Sequence, residues 1–91
     1  MQTDRRQTTY YRLTVAARLA GVSPGRARRF EAAGLLEPAR VAGGHRLYSE
    51  REVARLRRIR RLTDVLGINL PGVEVVLRLT EELAELRGKG G

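Results

Sequence analysis

The stretch from Thr14 to Ser49 leaves this chain few folds to choose from, because its start and stop signals follow one another at short intervals. Ala16, Leu19 and Ala20 fall at i, i+3 and i+4, which predicts a helix from about Thr14 to Ala20 with those residues as its apolar stripe. Gly21 is the stop, since a residue without Cβ takes the left-handed conformation that ends a helix. Val22 plugs the turn. Ser23 is an N-cap, and Pro24 suits the first helical position, where no backbone donor is needed. The second helix carries Ala27 and Phe30 inward, with Arg26 and Arg29 on its outer side and Arg28 at the flank, and Gly34 closes it. Helix, glycine-containing turn, helix is the helix-turn-helix pattern, whose second helix enters the major groove of DNA.

A small β-hairpin follows. Gly43-Gly44 is a two-residue turn signal, because tight hairpin turns need positive φ. It lies between Ala39-Arg40-Val41 and His45-Arg46-Leu47-Tyr48, with Pro38 stiffening the entry. Alternation puts Arg46 and Tyr48 on one face of the ribbon and His45 and Leu47 on the other. Such a ribbon beside a helix-turn-helix has the form of a DNA-binding wing; taken alone, it is equally a surface hairpin with solvated arginines.

At these residues the chain resembles the MerR family of bacterial transcriptional regulators. The match runs through Val22-Ser23-Pro24, Arg28 to Phe30, Gly34-Leu35-Leu36, Pro38, Arg40 and Gly44 to Ser49, and continues without a gap to about residue 87. Arg29 and His45 stand where the family usually has tyrosines. Both still carry donors, so the departure touches contact details rather than the capacity to bind DNA.

Composition agrees. Ninety-one residues make one small domain with little capacity to bury a core unless it pairs with another chain. The net charge of +8 favours a polyanionic partner. Its distribution says more: residues 1–62 hold 15 basic and 5 acidic side chains, whereas residues 63–91 hold 3 and 5. The absence of cysteine excludes disulfides and thiolate metal sites. No run of about 18 apolar residues spans a membrane, and the polar N-terminus lacks a signal-peptide core. The default compartment is the cytoplasm, with nucleoid association when bound to DNA.

Residues 1–9 form an expected flexible arm, after which Tyr10 or Tyr11 packs onto a winged helix-turn-helix domain over residues 10–68. Ser49-Glu50-Arg51-Glu52 is a capping box. The helix it starts has Val53, Leu56, Ile59, Leu62 and Leu66 as its apolar stripe and stops at Gly67. Six arginines from Arg51 to Arg61 cover the remainder, either as a solvated face or turned toward phosphate. Asn69 is the next N-cap, Ile68 and Val73 make a hydrophobic staple, and Pro71 is tolerated in the first turn.

Within the MerR family, the run from Gly67 to Val73 is similar to the HspR-type heat-shock repressors. That resemblance implies repression of chaperone genes with a DnaK-type chaperone as co-repressor. A short helix over residues 69–87 carries Val76, Leu79, Leu83 and Leu86 at 3-4-3 spacing, a candidate dimerisation seam. Val76 and Leu79 could equally complete a monomer core, whereas Leu83 and Leu86 call for a partner. Residues 88–91 form an expected frayed tail. The family's longer pairing helix and frequent effector domain are missing or reduced within these residues.

Enzyme chemistry fails on inventory. The single His45 has no cysteine or neighbouring carboxylate, Gly43-Gly44 lacks the Gly-Lys-Ser/Thr of a phosphate loop, and no cofactor is implied. Four aromatic rings make no stacking platform for single strands or RNA. The expectation is a mainly α winged helix-turn-helix that binds double-stranded DNA as a homodimer on an inverted repeat. Ser23, Gly25 and Arg26 are the candidates for base edges, with Arg26 suited to bidentate guanine contact. Arg28, Arg29, Arg40, Arg46 and Tyr48 are assigned to phosphate and sugar, and His45 to the wing tip. Two alternatives stand beside this: a winged-helix adaptor for a chaperone or co-chaperone, which the arginine concentration disfavours, and an excisionase-like architectural factor.

Overall fold

The computed structural model describes residues 8–90, of which 89 and 90 are described in backbone only. Most of the expected arm, residues 1–7, lies outside them, as does Gly91. The elements in order are α1 (Leu13–Ala20), α2 (Pro24–Ala32), β1 (Arg40–Ala42), β2 (His45–Leu47), α3 (Glu50–Asp64) and α4 (Leu70–Gly90). They fall into two compact units, one ending at Arg58 and one beginning at Ile59. The division lies inside α3, ahead of the boundary expected at residue 68.

In the first unit α1 and α2 end alike. Gly21 (φ 77°) and Gly34 (φ 81°) take the left-handed conformation, and the next residue folds its amide back over the last turn: Val22 N–H to the Ala17 carbonyl at 2.9 Å, and Leu35 N–H to that of Phe30 at 2.9 Å. This is the Schellman arrangement, which satisfies carbonyls the helix itself leaves open. At its start α2 is capped by Ser23, whose Oγ accepts the Arg26 amide at 3.2 Å, with Pro24 in the first turn.

The core of this unit holds Ala16, Ala17, Ala20, Val22, Ala27, Phe30, Leu35, Leu36, Tyr48, Val53 and Leu56. Here α1 departs from expectation. Leu19 is 46% exposed and Ala17 is fully buried, so the inward stripe is Leu13, Ala16, Ala17 and Ala20. The same spacing rule fits either set; packing against α2 selects the alanines, whose size lets two helices approach closely.

The hairpin forms as the glycines require. Gly43 (φ 59°) and Gly44 (φ 77°) give the doubly positive turn matched to strand twist, and Arg40 pairs with Leu47, Val41 with Arg46, Ala42 with His45. A further pairing joins Tyr11 to Tyr48, with amide–carbonyl bonds of 2.7 and 2.8 Å in the two directions. This bridge ties the base of the hairpin to the segment that leads into α1. The Tyr11 hydroxyl donates to Glu50, so Tyr11 does pack as the chain enters the domain.

The capping box holds α3. Glu52 Oε1 accepts the Ser49 amide at 2.7 Å while Ser49 Oγ accepts that of Arg51 at 3.3 Å. Two of the arginines that could have turned to phosphate have internal partners. Arg55 Nε donates to the Leu35 carbonyl at 2.7 Å and Arg57 Nη2 to that of Leu19 at 3.2 Å. Both carbonyls lie at or just past helix C-termini, where a cation is favoured.

In the second unit α3 ends at Asp64, sooner than expected. Leu66 is 61% exposed and outside the helix, because the chain already turns toward Gly67 (φ 68°) and the Ile68 amide bonds the Leu62 carbonyl at 2.9 Å. Asn69 caps α4, its Oδ1 accepting the Gly72 amide at 2.9 Å. Gly72 is needed for space: a Cβ there would sit 2.7 Å from Ile68 Cγ2. Val73 and Leu77 are fully buried, with Ile59. The helix runs to Gly90 rather than fraying at Gly88. Each glycine costs a helix only about 1 kcal/mol, too little to stop one that is already propagating.

Candidate DNA interface

Ser23, Gly25 and Arg26 occupy the N-terminal turn of α2, where sequence placed the base-reading residues. A Cβ built on Gly25 would meet nothing within 4 Å, so the glycine leaves that turn bare. Arg26 is half-buried, its guanidinium 5.3 Å from the centroid of the Phe30 ring. Such a cation–π contact pre-orders a long side chain. Arg28 and Arg29 are exposed.

On the wing, Arg40 lies over Tyr10 with its guanidinium 5.3 Å from the ring centroid, and His45 is exposed beside the turn. Arg46 and Tyr48 share one face, as alternation requires, and both reach Glu31 on α2. Arg46 Nη1 is 3.1 Å from Glu31 Oε1, and the Tyr48 hydroxyl donates to Oε2. Tyr48 is fully buried, and its assignment to phosphate and sugar is corrected. Burial, with the bond to Glu31 behind it, pushes its phenol up to about 12, so it stays neutral and bonded. Tyr11, donating to Glu50, is raised as well.

Between α2, the start of α1 and the wing lies a cleft of about 310 Å³ bordered by Arg12, Thr14, Arg28, Glu31, His45 and Arg46. Helix α1 opens onto it with no side-chain cap and no acid in its first turn, which leaves its positive dipole end uncompensated. Of the residues predicted for the site, the structure brings Arg28, His45, Arg46 and Tyr48 to this cleft. Ser23, Gly25 and Arg26 sit at the far end of α2. Sequence reasoning missed Arg12, Thr14 and Glu31. Glu31 had a signal, an acid two residues after Arg29 on α2; Arg12 and Thr14 had none, since their place depends on how the wing folds back.

The proposed seam lies on α4. Leu79, Leu83 and Leu86 are 55%, 49% and 66% exposed, while Val76 is half-buried. The buried positions of α4 are Val73 and Leu77, so Leu79 does not complete the core. Among the described residues no cluster of His, Cys, Asp or Glu could hold a metal ion, and no helix is long and apolar enough to cross a membrane.

Comparison with known proteins agrees with this geometry. The MerR HTH family regulatory protein profile matches residues 11–80. The chain is 38% identical over 82 residues to the protein named heat shock protein HspR in Streptomyces coelicolor, covering 90% of this chain and 54% of that one. It is 39% identical to the HTH-type transcriptional repressor CarH of Myxococcus xanthus, covering 88% and 27%. With the HTH-type transcriptional regulator GlnR of Bacillus anthracis it shares 32%, covering 93% and 65%. The chain thus spans about half the length of the HspR relative and less of CarH. Among solved structures, the lead(II) complex of the transcription regulator PbrR691 from Ralstonia metallidurans CH34 superposes with a TM-score of 0.72 at 28% identity, covering 87% of this chain and 73% of that one. Profile, relatives and fold coincide on the segment that carries the helix-turn-helix and its wing: the chain belongs to the MerR HTH family of regulatory proteins.

Proposed function

We propose that the protein is a transcriptional regulator that binds duplex DNA as a homodimer on an inverted repeat and represses heat-shock genes. The observation that carries the DNA-binding part is the placement of Arg26, Arg28 and Arg29 on α2 and of Arg40 and Arg46 on the wing, all in one compact unit. In this reading Ser23, Gly25 and Arg26 meet base edges. Arg28, Arg29, Arg40 and Arg46, joined by Arg12, hold phosphates, and His45 contacts DNA at the wing tip. The likeness to HspR supports the heat-shock assignment and, with it, a DnaK-type chaperone as co-repressor. Pairing through Val76, Leu79, Leu83 and Leu86 supplies the two-fold symmetry an inverted repeat demands. Repressor and operator would then meet in the cytoplasm, on the nucleoid.

Salt titration tests this directly. If six or more arginines meet phosphates, log K for duplex DNA falls with log salt at a slope of about −5 or steeper, from roughly −0.9 per contact. A slope near zero would favour the chaperone-adaptor alternative.

A further inference from the structure

We propose that Glu31 is a positioning residue that locks the wing onto the recognition helix, so that α2 and the hairpin meet DNA as one piece. The proposal rests on the DNA-binding reading above.

An acid at this place calls for a reason. Glu31 lies in the last turn of α2, where the helix dipole disfavours negative charge, and it borders a cleft whose other charged side chains are Arg12, Arg28 and Arg46. On electrostatic grounds alone it weakens binding to a polyanion. Its contacts supply the compensation. Both carboxylate oxygens are engaged, one by Arg46 and the other by Tyr48, residues two apart on the same face of the second hairpin arm. The Glu31 side chain is only 15% exposed, whereas that of Arg46 is 64% exposed. One end of the pair is therefore held in the protein while the other reaches outward with further guanidinium donors to offer.

A two-stranded hairpin on its own is marginal in water and needs such ties. The Tyr11 bridge fixes its base; Glu31 fixes the arm to the reading helix. Tyr48, neutral and buried, makes the second contact without adding charge, so two bonds set the orientation where one would leave a pivot. Arg46 then reaches the backbone at a fixed offset from Arg26 and Arg28.

The test compares Glu31→Ala, Glu31→Gln and Tyr48→Phe with wild type. Hydrogen exchange is measured without DNA, and duplex affinity is measured by fluorescence anisotropy across salt. Far-UV circular dichroism and melting identify any variant that fails to fold; Tyr48→Phe keeps every charge and serves if Glu31→Ala does not. The expected result is faster exchange of the Arg40–Leu47 amides with those of α1 unchanged. DNA affinity falls by about tenfold for Glu31→Ala, the size of one lost charge-assisted bond. Glu31→Gln, which keeps an acceptor and a donor, falls less. Charge alone predicts the opposite sign, because each Glu31 variant makes the face more basic. Equal or tighter binding by a folded Glu31→Ala, or wing exchange unchanged in all three variants, overturns the proposal. If wild type itself fails to bind duplex, the functional reading falls, and the exchange arm still decides whether Glu31 holds the wing.

Discussion

In the proposed reading, Arg26, Arg46 and Tyr48 divide between them the tasks of reading, holding and supporting. Arg26 leans on Phe30 at the start of α2, within the turn proposed to enter the major groove, whereas Arg46 leans on Glu31 from the wing. Arg26→Ala should therefore cost about 1–3 kcal/mol on the cognate site and relax its specificity, as loss of a bidentate base contact does. Arg46→Ala should weaken cognate and random duplex alike. Binding to a panel of single-base operator variants distinguishes the two; a change of preference with Arg46→Ala alone reverses the assignment. Tyr48 affects stability instead. Its phenol is raised from 10 to about 12 in the folded chain, first by burial and then by Glu31. The unfolded chain thus releases this proton first, and the stability held below pH 10 drains away as pH rises toward 12. Urea titrations across that window should show the fall in wild type and a smaller one in Tyr48→Phe, which near neutral pH is destabilised by about 1–3 kcal/mol through the lost bond to Glu31.

Element boundaries were legible where one or two adjacent residues determine them. Gly21 and Gly34 close helices, Ser23, Ser49 and Asn69 open them, and Gly43-Gly44 turns the hairpin, each through bonds within a few residues. Which face a helix buries is less local. In α1 the apolar spacing admits two phases, and only the packing of alanines against α2 chooses between them. The bonds that tie distant segments of the first unit together are less local still. Tyr11 to Glu50 joins residues 39 apart and Arg57 to Leu19 joins residues 38 apart, distances over which no spacing rule applies. In α4 the sequence showed the seam of Val76, Leu79, Leu83 and Leu86, and the structure adds a first, buried stripe of Val73 and Leu77. At about 100° per residue, Leu79, Leu83 and Leu86 lie roughly 130° round the helix from Val73 and Leu77. The second stripe is exposed, and burying each of its leucines in a dimer contributes roughly 1.5–3 kcal/mol. With so short a seam, free dimers should be weak and a palindromic duplex should favour the pair, since only a dimer spans both half-sites. Leu83→Glu combined with Leu86→Glu should abolish binding to the full palindrome while sparing the fold and weak half-site affinity. Sedimentation with and without duplex decides; one wild-type chain per palindrome, with affinity unaffected by the substitutions, would sink the dimeric reading.

For the molecule as a whole, charge and topology point the same way. The basic excess lies in residues 1–62, and the remainder carries a slight acidic excess, so attraction to DNA and any pairing through α4 are assigned to different stretches of chain. The net charge alone could not have said which arginines bond within the protein: Arg55 and Arg57 each donate to a backbone carbonyl. The pairing of Tyr11 with Tyr48 has a wider consequence. It brings the two ends of the intervening segment side by side, and every side chain assigned to DNA lies between them. A segment whose ends leave at one point is suited to insertion and exchange, and what this one asks of the chain outside it is the core of Val53 and Leu56 and the bonds from Arg55 and Arg57. In the proposed reading, swapping residues 12–47 between relatives, with the core-facing side chains matched and α4 left in place, should replace operator preference. A new address is written without rebuilding the machine that reads it.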